Sequence, residues 1–230
     1  MHITDIINNG SPTFSFEFFP PKSERASESL FETIKDLESL APSYVSITYG
    51  AVGTTRERTH DLVEKILEKT KLIPIPHLTC VQHTEEEISN ILKRYSDKGV
   101  SNILALRGDN PKGDAQYDRS KDYFCFARDL VNFIRNFDNS TFDKKSNSFG
   151  IGVAGFPEGH PETPNRIKEM DYLKAKVDSG ADYICTQLFF DNHDFFDFRD
   201  RCELAGIDIP IIAGIMPVTS ISGMQRMADL

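Results

Sequence analysis

Gly99-Val100-Ser101-Asn102-Ile103-Leu104-Ala105-Leu106 decides the fold. Upstream of it, Thr84 followed three residues later by Glu87 is a capping box, and Ile88, Ile91, Leu92 and Tyr95 lie on one face of the helix that it opens. Gly99 suits the left-handed position that ends such a helix, and a β-rich apolar run begins three residues on. The same arrangement returns where Gly180 precedes Tyr183 to Leu188 and where Gly206 precedes Ile209 to Ala213. A helix closed by glycine a few residues before a buried strand is the αβ connection of a parallel sheet.

Working outward, Phe14-Ser15-Phe16-Glu17-Phe18-Phe19-Pro20-Pro21 reads as the first strand, because aromatic residues alternate with polar ones until two prolines stop the pairing. Helical spacing follows over 27–40, a strand over 44–49, a helix over 56–69, and a strand over 73–79 weakened by two prolines. Further on come a helix over 123–136, a strand over 149–155, and helices over 166–179 and 193–205. The stretch 138–148 is polar and aperiodic and reads as a surface loop. Seven βα units in strict alternation predict either a doubly wound sheet or a (β/α)₈ barrel. The eighth unit is missing, so a barrel would be a single domain over 1–230, truncated at its C-terminus with two open strand edges.

The chain carries 26 Lys and Arg against 35 Asp and Glu, a formal net charge of −9. That balance lacks the basic stripe that a nucleic-acid backbone requires. Cys80, Cys125, Cys185 and Cys202 are far apart and without metal-ligand spacing, so they read as reduced thiols. No apolar run approaches the roughly 18 residues of a membrane span, and the N-terminus does not resemble a signal peptide, which predicts a cytoplasmic protein that binds neither membrane nor nucleic acid.

In both architectures ligands bind at the carboxyl ends of the strands. Those ends deliver Glu17, then Thr48, then His77 and Thr79, then Arg107 and Asp109, then Glu158 and His160, then Gln187 and Asp191. A ring of this kind reads as a site, although a helix cap or loop contact would explain any one member. Glu17 is either an outward-facing charge or a carboxyl desolvated among phenylalanines, with a pKa raised toward proton donation near neutrality. Gly150-Ile151-Gly152-Val153-Ala154-Gly155 has Rossmann spacing but lies within a strand rather than at a strand-to-helix turn. Its small residues suit a flat ligand lying close to the backbone. No histidine pair on one strand supports a metal site.

These blocks together resemble one family. Ser15-Phe16-Glu17-Phe18-Phe19-Pro20-Pro21, Thr48-Tyr49-Gly50-Ala51, Pro76-His77-Leu78-Thr79-Cys80, Ala105-Leu106-Arg107-Gly108-Asp109, Pro157-Glu158-Gly159-His160-Pro161 and Thr186-Gln187-Leu188-Phe189-Phe190-Asp191 are similar, in order and spacing, to methylenetetrahydrofolate reductases. The resemblance implies a TIM barrel that carries FAD, takes hydride from NADH or NADPH, and reduces 5,10-methylenetetrahydrofolate by ping-pong kinetics. It implies Glu17 as general acid, Asp109 as a charge beside both the cofactor and the folate, and Gln187 as a folate contact. Thr48, Tyr49, Ala51, His77, Arg107, Gly108, Asp109, Ala127, Ala154, His160, Glu169 and Lys176 would hold FAD. Phe126 and Phe156 stand where tyrosine is common in the family, and Glu169 where aspartate is usual. Bacterial members are often assemblies, which implies a homo-oligomer. The alternative is a non-catalytic or partner-dependent fragment of such a barrel.

Overall fold

A computed structural model of the chain describes residues 1–49, 54–111, 117–137 and 148–228. Ala51 and the polar stretch 138–147 lie outside the described residues. Among the described residues, seven strands form one parallel sheet in unbroken chain order: β1 (Ser15–Phe18), β2 (Tyr44–Ile47), β3 (Pro74–Thr79), β4 (Asn102–Leu106), β5 (Gly150–Gly155), β6 (Tyr183–Thr186) and β7 (Ile211–Ile212). A doubly wound sheet reverses its strand order at a switch point, and none occurs here, so the winding is that of a TIM barrel lacking one unit.

Between the strands run α2 (Glu24–Glu38), α3 (Thr54–Lys69), α4 (Glu85–Asp97), α5 (Ala127–Arg135), α6 (Arg166–Asp178) and α7 (Asn192–Leu204), with α8 (Ile221–Ala228) after β7. The Thr84–Glu87 capping box is formed in both directions. Gly99, Gly180 and Gly206 adopt φ of +84°, +111° and +67°, the left-handed turn that their sequence positions predict. The Rossmann-like glycines fall inside β5. A Cβ on Gly152 would come 2.3 Å from Cζ of Tyr183, so the space at that position is filled by a protein side chain rather than kept for a ligand.

β3 is fully buried despite Pro74 and Pro76. The amide of Cys80 donates to Leu106 in β4, so even-numbered residues of this strand aim their N–H at β4. Pairing with β4 begins only at His77, and the donors that the prolines lack are therefore not needed.

Alternation along the strands creates two cores. Val45, Ile47, Leu78, Ile103, Ala105, Ile151, Val153 and Ile184 pack against the helices, with Ile34, Leu62, Val63, Leu92, Leu130 and Leu173 opposite. Tyr44, Ile75, Leu104 and Tyr183 point into the lumen. A short helix, α1 (Ile3–Ile7), closes the floor of the lumen with Ile3 and Ile6. The main chain of Ile3 donates to Oδ1 of the fully buried Asn102 at 2.6 Å, and Nδ2 of Asn102 donates to the Met1 carbonyl at 2.9 Å. With that end filled, the lumen is open at the carboxyl ends of the strands, where the loops carry the candidate site.

Candidate active site

Two clusters occupy that end. The first is built by register. Glu17 on β1 is aligned with Ser46 on β2, and Ser46 with Ile75 on β3, so His77 shares the lumen face two residues further along. The Ser46 hydroxyl donates to Oε2 of Glu17 at 3.2 Å. Nε2 of His77 stands 3.4 Å from the same oxygen, within ion-pair distance although short of good hydrogen-bond geometry. The His77 side chain is buried, whereas that of Glu17 is 46% exposed.

Partial desolvation pushes the Glu17 pKa up. The His77 contact, its charge and the Ser46 hydroxyl together outweigh that effect and hold the pKa below the usual carboxyl value. This corrects the expectation of a raised pKa: the carboxyl is neither sealed among phenylalanines nor a plain surface charge. The sequence reading named His77 only as a strand-end group and cofactor contact, and missed both Ser46 and the convergence of the two on Glu17. Ser46, the one polar residue of β2, was the available signal.

The second cluster joins β4, β5 and α6. Arg107 pairs with Glu162, and the Arg119 guanidinium donates to the carbonyls of Arg107 at 3.3 Å and Gly108 at 2.8 Å, and to Oδ1 of Asn110. Nδ1 of His160 accepts from the Glu162 amide at 3.1 Å, and its ring meets that of Phe156 edge-on with centroids 4.6 Å apart. Burial, then the Arg107 charge, lowers the His160 pKa. The Lys176 ammonium donates to the Ala154 carbonyl and lies 5.9 Å from the centre of the Phe156 ring. Desolvation lowers its pKa to about 8. Glu169, buried on the same helix, has its pKa raised by desolvation, and among the described residues its Oε2 has no hydrogen-bond partner. Arg119 and Glu162 had no sequence signature, because neither lies at a strand end.

Other members of the predicted ring are placed less centrally. Asp109 and Gln187 are exposed at the rim, and among the described residues no hydrogen bond or ion pair joins either to Glu17. The Thr48 carbonyl accepts from Thr59 at 3.0 Å. The Tyr49 ring packs on the core between sheet and helices, with its hydroxyl 3.1 Å from Nε2 of His83. Ala127 opens α5 beside the ends of β3 and β4, since the Cys80 thiol reaches the carbonyls of both Leu106 and Phe126. Asp191 is the N-cap of α7, accepting from the His193 amide, and Glu158 accepts from the Phe190 amide. For those two the helix-cap and loop-contact explanation holds. Among the described residues no helix is long and apolar enough to cross a membrane, and no group of three or more His, Cys, Asp or Glu could hold a metal ion.

A family model described as methylenetetrahydrofolate reductase matches residues 2–230. The chain is 40% identical over 221 residues to the 5,10-methylenetetrahydrofolate reductases of Salmonella typhimurium and Escherichia coli, covering 96% of this chain and 70% of each relative. It is also 40% identical over 235 residues to methylenetetrahydrofolate reductase (NADH) 1 of Arabidopsis thaliana, spanning 98% of this chain but 38% of that longer protein. Among solved structures, a Clostridium thermocellum protein that binds two copies of 5-methyl-5,6,7,8-tetrahydrofolic acid superposes with a TM-score of 0.65 at 15% identity, covering 99% of this chain and 75% of that one. At that identity the likeness concerns the fold. The family model and the bacterial relatives together show that this chain belongs to the methylenetetrahydrofolate reductase family.

Proposed function

We propose that this chain is a flavoenzyme that reduces 5,10-methylenetetrahydrofolate to 5-methyltetrahydrofolate at the open end of its lumen, with NADH or NADPH as the reductant. The observation that carries the reading is the Glu17, Ser46 and His77 group, an ionisable centre at the strand ends of a barrel that also carries a desolvated ammonium, Lys176, hydrogen-bonded to β5.

The residues present fit FAD. Lys176 is an ammonium short of solvation that donates to the Ala154 carbonyl, and among the described residues Oγ1 of Thr79 and Oε2 of Glu169 are buried without hydrogen-bond partners. A dinucleotide with an anionic diphosphate and hydroxyl-bearing sugars supplies what these atoms lack. Thr48, Tyr49, Ala51, His77, Arg107, Gly108, Asp109, Ala127, Ala154, His160, Glu169 and Lys176 would hold it. When bound, the flavin supplies hydride relay between nicotinamide and folate, and their use of one face in turn gives ping-pong kinetics.

Glu17 then acts as general acid on the folate. Opening the five-membered ring to a reducible iminium requires a proton on the departing ring nitrogen, and the Glu17 carboxyl delivers it. Desolvation is already the largest influence on this carboxyl. A folate covering its exposed side extends that influence and moves the pKa up, toward the protonated form that the step needs. Asp109 contributes a negative charge that favours the cation, and Gln187 orients the substrate.

Anaerobic half-reactions test the assignment. Reduced nicotinamide should bleach the flavin of both wild type and Glu17→Gln, whereas restoration of colour by methylenetetrahydrofolate should slow by about 10²–10⁴-fold in the variant. Equal loss of both half-reactions would remove Glu17 from the acid role. A well-folded wild-type protein that takes up no FAD would overturn the whole reading.

A further inference from the structure

The proposed reaction gives His77 no proton-transfer role, yet its Nε2 is buried and 3.4 Å from the carboxyl oxygen that must lose a proton in every cycle. Each methylenetetrahydrofolate reduced takes up one proton at the ring nitrogen, so Glu17 ends each cycle as a carboxylate and must be reloaded. The surrounding groups leave few sources. Tyr44 on β2 and Cys185 on β6 are the other lumen groups that feel the Glu17 charge, and desolvation holds them protonated, with pKa values of about 12 and about 11. Ser46 does not titrate in water. Just past β4, Arg107 is engaged by Glu162, and on α6 Lys176 is turned to the Ala154 carbonyl of β5. His77 is the partner of Glu17 whose ring nitrogen, 3.4 Å from Oε2, can chemically both carry and release a proton.

We propose that His77 reloads Glu17 between turnovers. The Nε2–H bond of the imidazolium breaks as the Oε2–H bond of Glu17 forms, with no change of oxidation state. The imidazole then regains a proton from water. Glu17 and His77 thus work as one acid with a shared proton, which explains why a general acid sits in a contact that favours its ionised form: the contact that holds the carboxylate is also its proton supply.

This inference rests on the folate-reductase reading, and its competitor is an anchoring role in which His77 only holds Glu17 in place and keeps it ionised. The two make opposite kinetic predictions. Removing a mere anchor lets desolvation raise the Glu17 pKa, so more of the acid form is present and folate reduction holds or quickens. Removing a proton supply slows it.

In His77→Gln, compared with wild type at saturating FAD above neutral pH, the folate half-reaction should fall about tenfold or more relative to the nicotinamide half-reaction, the lower range for loss of a positioned proton donor. Added imidazole should restore part of the rate in His77→Ala. Infrared titration of the Glu17 carboxyl in the FAD-free proteins, with Glu17→Gln as the blank, should show its midpoint moving up in His77→Gln. A folate half-reaction that keeps pace with or outruns the nicotinamide half-reaction would overturn the reloading role. An unmoved infrared midpoint would overturn the pairing itself. Failure of the wild-type protein to reduce methylenetetrahydrofolate would sink the functional reading while leaving the infrared result to judge the pair.

Discussion

Lys176→Met is the most quantitative test of the site's electrostatics. In the folded chain, loss of hydration is the main cause that takes the Lys176 pKa from 10.5 to about 8, with Glu169 only partly offsetting it. The unfolded chain restores the ordinary value of about 10.4. Above pH 8 the folded form releases its proton while the unfolded form keeps its own, so this group makes stability rise with pH until the unfolded lysine also titrates. The burial cost is therefore fully present below pH 8 and gone above about 10.5. At about 1.4 kcal/mol per tenfold, the gap between the two states corresponds to about 3 kcal/mol, of which roughly 2 kcal/mol is relieved between pH 7 and 9.5. Methionine keeps the length and removes the charge. Urea unfolding of FAD-free wild type and variant at the two pH values, read as a difference, cancels the opposite-signed contributions of Tyr44, Cys80 and Cys185, whose pKa values are raised by burial. The variant's advantage should shrink by roughly 2 kcal/mol at the higher pH, or about 4–8 °C in Tm for a chain of this size. A difference that changes by less than about 0.5 kcal/mol would refute the claim that this ammonium is desolvated.

Two further substitutions probe the scaffold. Gly108 has φ of +79°, and a Cβ there would meet Cβ of Thr79 and Cγ1 of Val81, each at 2.9 Å. Gly108→Ala should therefore cost roughly 2–5 kcal/mol, from about 1–2 for the left-handed backbone and about 1–3 for overpacking, and a Tm within about 2 °C of wild type would contradict it. Asn102→Ala leaves the Ile3 amide without its 2.6 Å acceptor at the lumen floor. A loss of about 1–3 kcal/mol should appear with faster amide exchange confined to α1, and unchanged exchange over residues 3–7 would show that Asn102 does not hold that helix.

The sequence made the winding legible because the information is local. Gly99, Gly180 and Gly206 each mark a turn whose left-handed backbone a glycine accommodates without strain, and each stands three to five residues before a strand. What it left open depends on register between strands. Period 2 placed Glu17 on one face of β1, but that face becomes the lumen only once β2 and β3 bring Ser46 and His77 beside it. The prolines of β3 looked like a weakness because the late start of its pairing with β4 is invisible in one strand's own residues. α1 escaped notice because five residues carry too little periodicity, and its place is set by Asn102, about a hundred positions away. The strand-end ring was legible as a list of types. Its division into a proton-handling group and a cationic group is a property of contacts, and Arg119 enters it from a short 3-10 helix (Arg119–Lys121) and Glu162 from the segment after β5.

The most direct test of the central claim is the spectrum of FAD-loaded Glu17→Gln under anaerobic conditions, first with NADH and then with methylenetetrahydrofolate. The flavin should bleach with the nicotinamide and stay bleached on the wild-type time scale when the folate is added. Recovery of colour at the wild-type rate would contradict it, since the carboxyl beside Ser46 and His77 would then have no part in the chemistry.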